Sequence, residues 1–165
     1  MDNNDLLIRV RYALDIKNKD MIEIFKLGGI EVTKDELLKL LTKTSEDEDA
    51  FAENEEQIKC DDVMLESFFN GMIIFKRGKQ EPKPGQPERP AYSNERMNNI
   101  LLKKLKIALS LTSEEMLEIL KAAKFTVTKG ELNALLRKEG HKNYKECGDQ
   151  FARNFLKGLA LTYRV

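Results

Sequence analysis

Apolar residues along this chain recur three and four positions apart, the spacing of one face of an α-helix, and strict alternation is absent. Leu6, Leu7, Val10, Ala13 and Leu14 form a first such face, and Met21, Ile22, Ile24 and Phe25 a second. Thr33-Lys34-Asp35-Glu36 then reads as a capping box, the hydroxyl and the carboxylate each serving a free N–H of the first helical turn. A fourth helix is predicted from about Asp61 to Phe75, with Met64, Leu65, Phe68 and Met72 on its apolar face. The same series returns in the second half. Leu101, Leu102, Leu105, Ala108 and Leu109 precede Met116, Leu117, Ile119 and Leu120, and a second capping box, Thr128-Lys129-Gly130-Glu131, follows. A last helix, from about Gly148 to Thr162, carries Phe151, Ala152, Phe155 and Leu159. Asn18 and Ser113 are the expected N-caps of the second helix in each series. Ile30-Glu31-Val32 and Phe125-Thr126-Val127 are short enough to be turns, so the fold class expected is all-α.

The recurrence is a duplication. Shifted by 95 positions, residues 3–43 fall on the second half with 18 identities in 41 positions. From Cys60 onward the offset is 87, aligning Cys60 with Cys147, Asp62 with Asp149, Phe68 with Phe155, Gly71 with Gly158 and Arg77 with Arg164. The first copy is therefore longer by eight residues, which fall around the acidic run Ser45-Glu46-Asp47-Glu48-Asp49, expected to be a solvated loop. The expected architecture is two tandem repeats of a roughly four-helix unit: residues 1–77, a linker at 78–94 that holds all four prolines, and residues 95–165. Gly71 and Gly158 fall inside helices at matched positions, where glycine costs about 1 kcal/mol relative to alanine. They mark a close helix–helix approach and are candidates for an interface, including one between the copies.

These strings resemble the YehS-like family of uncharacterised bacterial proteins, whose domain of unknown function occurs as a tandem pair. The resemblance covers nearly the whole chain. It rests on Arg11-Tyr12-Ala13-Leu14-Asp15, Met21-Ile22-Glu23-Ile24-Phe25 and Phe69-Asn70-Gly71 in the first copy. In the second it rests on Gly140-His141-Lys142-Asn143-Tyr144-Lys145-Glu146-Cys147-Gly148-Asp149-Gln150-Phe151, followed by Arg153-Asn154-Phe155-Leu156-Lys157-Gly158-Leu159. Where the family has a Tyr-x-Glu-Cys string, the first copy reads Gln57-Ile58-Lys59-Cys60. The resemblance implies tandem boundaries and carries no established activity, so it transfers no catalytic residue.

Composition narrows the function classes. The 165 residues are 41% hydrophobic and carry zero formal net charge, so the chain is neither disordered throughout nor a polycation. That zero hides a division: residues 1–77 sum to −7 and residues 78–165 to +7. The halves are expected to attract one another, within one chain or head to tail between chains, or the basic half to meet an anionic partner. Two cysteines are too few for a disulfide scaffold. The first thirty residues are charged throughout, and the longest apolar run is Met72-Ile73-Ile74-Phe75, so a cytoplasmic protein with no membrane span is expected.

Candidate chemistry is sparse. The helix, glycine-bearing turn and helix around residues 18–40 suggest a helix-turn-helix, but Asp35 and Glu36 would face phosphates. The second copy is more tolerant, and Lys103, Lys104, Lys106, Lys129, Arg137 and Lys138 are the nucleic-acid-binding candidates. His141 lies six residues before Cys147 at a helix start, the weak case for a thiol enzyme. His141, Glu146, Cys147 and Asp149 would be the ligands of a metal site, but the paired short spacing of zinc ligands is missing, so neither metal nor cofactor is expected. Phosphate-binding and nucleophile-elbow motifs are absent. The leading expectation is a non-catalytic helical module that binds a protein partner or self-associates. The alternative is a nucleic-acid binder using the second repeat, and third a thiol enzyme around Cys147 and His141.

Overall fold

The computed structural model describes residues 1–43, 57–78 and 95–164. The expected acidic loop and nearly all of the Pro-rich linker lie outside the described residues. Eight helices and no strand are found among the described residues: α1 (Asn3–Ala13), α2 (Asn18–Leu27), α3 (Lys34–Leu40), α4 (Asp62–Arg77), α5 (Met97–Ala108), α6 (Ser113–Ala122), α7 (Lys129–Leu136) and α8 (Asp149–Tyr163). The first four and the last four correspond one to one, so the all-α fold of two tandem units holds.

Local chemistry sets the boundaries. Both expected capping boxes form, Thr33 with Glu36 and Thr128 with Glu131. A third caps α6, and it corrects the expected cap: Thr112, not Ser113, is the N-cap and pairs with Glu115. Ser113 is one residue too late: an N-cap hydroxyl accepts from the N–H three positions on, and for Ser113 that is the Met116 N–H, already bonded to the Thr112 carbonyl (3.0 Å). The N-cap of α2 is likewise Lys17, while Asn18 starts the helix and accepts a hydrogen bond from Arg11. Helices α1, α2, α5 and α6 all stop by the same device. The chain turns left-handed at Asp15, Gly29, Ser110 and Lys124, and paired N–H groups return to the last turn, as from Lys124 to Lys121 and from Phe125 to Leu120. Glycine suits this turn at position 29, while Lys124 adopts it at some backbone cost.

In each repeat the second helix lies directly on the last. A Cβ on Gly71 would run into the Ile24 carbonyl, and one on Gly158 into the matching Ile119 carbonyl. In the first repeat Gly28 faces the Ser67 carbonyl in the same way. The two matched glycines thus mark the close approach expected of them, but inside each repeat, α2 on α4 and α6 on α8, and not between repeats. The ring of Phe25 packs 4.9 Å from that of Phe68 beside this crossing.

The first helix of each repeat goes elsewhere. Helix α1 packs mainly on α8, and α5 mainly on α4, so each repeat covers the last helix of the other. One hydrophobic cluster, from Leu6 to Leu159, therefore runs through both repeats. Helices α1 and α8 run in the same direction. The Met1 amino group meets Asp149 (2.9 Å) at their starts, and Arg164 meets Asp15 and the Tyr12 carbonyl (3.0 Å each) at their ends.

A buried carboxamide ties each first helix back to its own repeat. The Asn4 side chain, 1% exposed, donates to the carbonyls of Leu40 (2.9 Å) and Ile58 (2.8 Å), and its oxygen accepts from the Cys60 N–H (3.0 Å). Asn99 does the same with Leu135 (3.1 Å), Lys145 (2.9 Å) and Cys147 (2.8 Å). Its loss would strand three backbone groups, two of them buried and one part-buried.

Two stability predictions follow from these contacts. Asn99→Ala is expected to cost about 2–4 kcal/mol in urea unfolding monitored by circular dichroism. An effect below about 1 kcal/mol would mean that water replaces the amide freely. Gly158→Ala is expected to lower the thermal midpoint by roughly 5–12 °C, because α6 and α8 must separate. Gly130→Ala, in the first turn of α7 where a Cβ would meet only the Thr128 Oγ1 at 3.9 Å, should leave the midpoint level or raise it slightly.

Candidate functional site

Two places qualify by geometry: a cleft where four helices start, and the seam between α1 and α8. The cleft, of about 540 Å³, is lined by Met1, Asn3, Leu6 and Asp62 from the first repeat and by Glu95, Arg96, Met97, Asn98, Glu146 and Asp149 from the second. It brings together the N-terminal ends of α1, α4, α5 and α8, where unsatisfied N–H groups concentrate positive potential. Carboxylates answer it. Asn3 donates to Asp62 (2.8 Å), and Asn98 donates to Asp149 (2.9 Å). Asp149 also takes the Met1 ammonium and Arg96 (3.3 Å), and Arg96 reaches Glu146 at 4.0 Å. The hydrogen bond from Asn98, with the Met1 ammonium beside it, holds the Asp149 carboxyl down at about 2. The charges of the cleft are thus largely matched to one another, as in a structural junction.

The thiols do not line this cleft, although the Cys147 carbonyl accepts from Asn98, which does (3.1 Å). Cys60 and Cys147 are free and buried, and each Sγ faces the carbonyl of the next residue. Burial, reinforced by Asp61, Asp62 and Asp2, pushes the Cys60 thiol up to about 12. Burial also pushes Cys147 up to about 12, against the opposing pull of Arg96. A reactive thiolate needs the reverse shift. His141 is exposed, with its ring 3.4 Å from the Arg137 guanidinium and accepting from the Asn143 N–H (3.0 Å). The ring and the sulfur therefore sit in different surroundings, one in solvent and one in the core. Among the described residues no three His, Cys, Asp or Glu side chains are placed to share a metal ion.

The basic candidates divide. Lys103 pairs with Glu95 at 2.6 Å and lies over the Tyr144 ring, and Lys129 pairs with Glu114 at 2.6 Å. Lys104 is half-buried: burial lowers its pKa, opposed by the nearby carboxylates of Glu66 and Glu95. Lys106 is half-buried as well, while Arg137 and Lys138 stand exposed beyond the end of α7. The structure therefore disperses the six residues, with three of them held against acids. No helix among the described residues is long and apolar enough to cross a membrane.

The α1–α8 seam was not among the expected sites. Arg153, Lys157, Ala160 and Arg164 follow one another along α8 at helical spacing, between the Asp149 and Arg164 ends that touch α1. Tyr12 meets α8 from the facing edge of α1, and Arg9 precedes it by three positions, paired with Asp5 of the same helix. Arg9, Tyr12, Arg153, Lys157, Leu161 and Tyr163 are all exposed, Tyr12 at 59% and Leu161 at 52%. The Arg164 guanidinium stacks 4.2 Å over the Tyr12 ring, fixing that aromatic at the mouth of the seam. The equivalent seam between α4 and α5 is closed. Glu66 and Asn70, the counterparts of Arg153 and Lys157, are 2% and 6% exposed. The one signal in the sequence was this exchange of residue type between aligned repeats, acid for base at 66 and 153.

Comparison with known proteins places the whole chain. Residues 3–78 and 98–164 match the family described as "Protein of unknown function (DUF1456)". The chain is similar to "Uncharacterized protein YehS" of Escherichia coli (strain K12), with 44% identity over 166 residues that cover 100% of this chain and 98% of that protein. No solved structure matches the chain.

The carboxylate at 149 supplies a pH prediction. Its folded pKa is depressed to about 2, so its stabilisation is present above the ordinary aspartate range and is lost as pH falls from about 4 toward 2. The group is about one-third exposed, so the shift is discounted for solvent screening to roughly 1 kcal/mol at pH 7. Asp149→Asn is therefore expected to be about 1 kcal/mol less stable at pH 7, with the gap to the parent narrowing near pH 2.5 in paired urea titrations. A gap independent of pH would assign the loss to packing and not to charge.

Proposed function

The chain belongs to the DUF1456 family of proteins of unknown function, and we propose that it is a non-catalytic helical binding module whose partner is another protein. The observation that carries this reading is the open α1–α8 seam. It leaves Tyr12 and Arg9 of α1 and Leu161, Arg153 and Lys157 of α8 exposed, whereas Glu66 and Asn70, the counterparts of Arg153 and Lys157, are buried. Exposed aromatic and arginine side chains on a rigid helical surface are the usual anchors of a protein interface. A polyanion suits the seam less well. The chain has no net positive charge, and Asp5 and Asp15 pair with Arg9 and Arg164 at its edges. The reading of the chemistry is consistent with this, since both thiols are buried in the protonated form and the cleft charges answer one another. Free buried thiols suit a reducing compartment, which supports a cytoplasmic location.

The test is capture from nuclease-treated native lysate with immobilised full-length chain, read by mass spectrometry. The paired variants Tyr12→Ser with Leu161→Ser, and Arg153→Glu with Lys157→Glu, should lose a captured protein by about tenfold or more while keeping parental helicity. Arg137→Glu with Lys138→Glu should retain it. Retention by both seam variants and loss by the last pair would move the function to the α7 end and sink this reading.

A further inference from the structure

We propose that the surface each repeat offers to the other also fits the complementary repeat of a second copy of this chain, so that two chains exchange repeats whenever the connection between the repeats cannot close within one chain. The inference rests on which helix covers which. Helix α1 lies mainly on α8, and α5 mainly on α4, so each repeat covers its own last helix only slightly with its own first. A repeat taken alone leaves uncovered the side of its first helix that lies on the other repeat and the side of its last helix that the other repeat covers. What completes it is a set of side chains that another molecule holds identically. The α1–α8 ion pairs, the stack of Arg164 on Tyr12 and the contacts of α5 on α4 all form just as well between chains. The cleft would then take its walls from two molecules, with Asp62 from one and Arg96, Asn98 and Asp149 from the other.

The covalent connection decides between the closed and the exchanged forms. Helices α4 and α5 both start at the cleft, since Asp62 and Arg96 line it together. The chain leaves α4 at its far end, so the path from Gly78 to Glu95 must return along 16 residues of helix, about 24 Å. The 16 residues between them reach that far with slack, which makes closure intramolecular and favoured at low concentration. Deleting Gln80 to Ser93 leaves three peptide steps, about 11 Å, and closure becomes impossible while exchange stays open.

The deletion variant is the test. It should keep parental helicity and run at twice the parental mass by light scattering, whereas replacement of the same stretch by an equally long Gly/Ser segment should stay at the single-chain mass. A helical variant of single-chain mass would overturn the proposal. Should the deletion fail to fold, the full-length chain carrying a protease site at residue 84 decides. It is cut after folding, and isotope-labelled and unlabelled preparations are mixed and examined by native mass spectrometry. Hybrid pairs of labelled and unlabelled halves are expected, and their absence after prolonged mixing would overturn the proposal.

Discussion

A single asparagine amide in each repeat holds the arrangement from which everything else follows. Asn4 and Asn99 reach from the first helix to two carbonyls and one N–H of their own repeat: the last residue or so of the third helix, the strip of chain before the fourth, and the cysteine that precedes it. The Leu40 and Leu135 carbonyls are among those that a helix leaves unpaired at its end. Two of the three groups are buried, the helix-end carbonyl and the cysteine N–H, so the amide is needed to offset their desolvation. The clasp also explains how the repeats tolerate different lengths. The eight extra residues of the first copy fall between Leu40 and Ile58, two groups that the same amide bonds. Their counterparts, Leu135 and Lys145, are ten residues apart, against eighteen in the first copy. With the ends fixed, the chain between them is free to lengthen at small entropic cost.

Because the clasp pins the start of each first helix beside the start of each last one, four helix N-termini come together at one cleft. Positive dipole ends would repel there. Asp2 and Asp5 at α1, Asp61 and Asp62 at α4, and Asp149 at α8 answer them. Helix α5 is the exception, with no acid in its first turn and Arg96 at its N-cap, a cation at the wrong end. Asp149 and Glu146 take up that charge from the next helix. At the opposite ends stand Arg11, Lys76, Arg77 and Lys106, the sign that the dipoles favour. The division of charge between the halves acquires a location in the same way, since basic Arg164 and Lys104 of the second repeat face acidic Asp15 and Glu66 of the first.

The helices, their order and the duplication were legible because each depends on local spacing or on identity at a fixed offset. The capping boxes at Thr33 and Thr128 were legible for the same reason, and the one at Thr112 was hidden by an equally good cap residue at the next position. Asn4 and Asn99 were visible as an identity, yet they sat in a polar prefix, and nothing in a hydrophobic pattern marks an amide as core. The pairing of helices was less legible still. Periodicity shows which face of α1 is apolar, but duplication makes α4 and α8 chemically similar, so either one satisfies that face. The choice is made by contacts between residues far apart in sequence, such as Arg164 with Asp15 and Tyr12.

The same near-degeneracy explains why the candidate site was missed and where it lies. Two equivalent seams existed once the unit was doubled, and only one had to stay closed for the repeats to share a core. On α4, Glu66, Ser67 and Asn70 are buried, and α5 packs closely over that side. On α8, the matching Arg153 and Lys157 are in solvent, and Tyr12 of α1 and Leu161 of α8 are exposed as well. Long cationic side chains at those positions keep the open seam from closing as its twin does, because burying two unpaired charges would cost several kcal/mol. The substitution of base for acid at 66 and 153 therefore does two things at once: it breaks the symmetry of the duplicated fold, and it leaves a charged, partly apolar surface that folding no longer consumes.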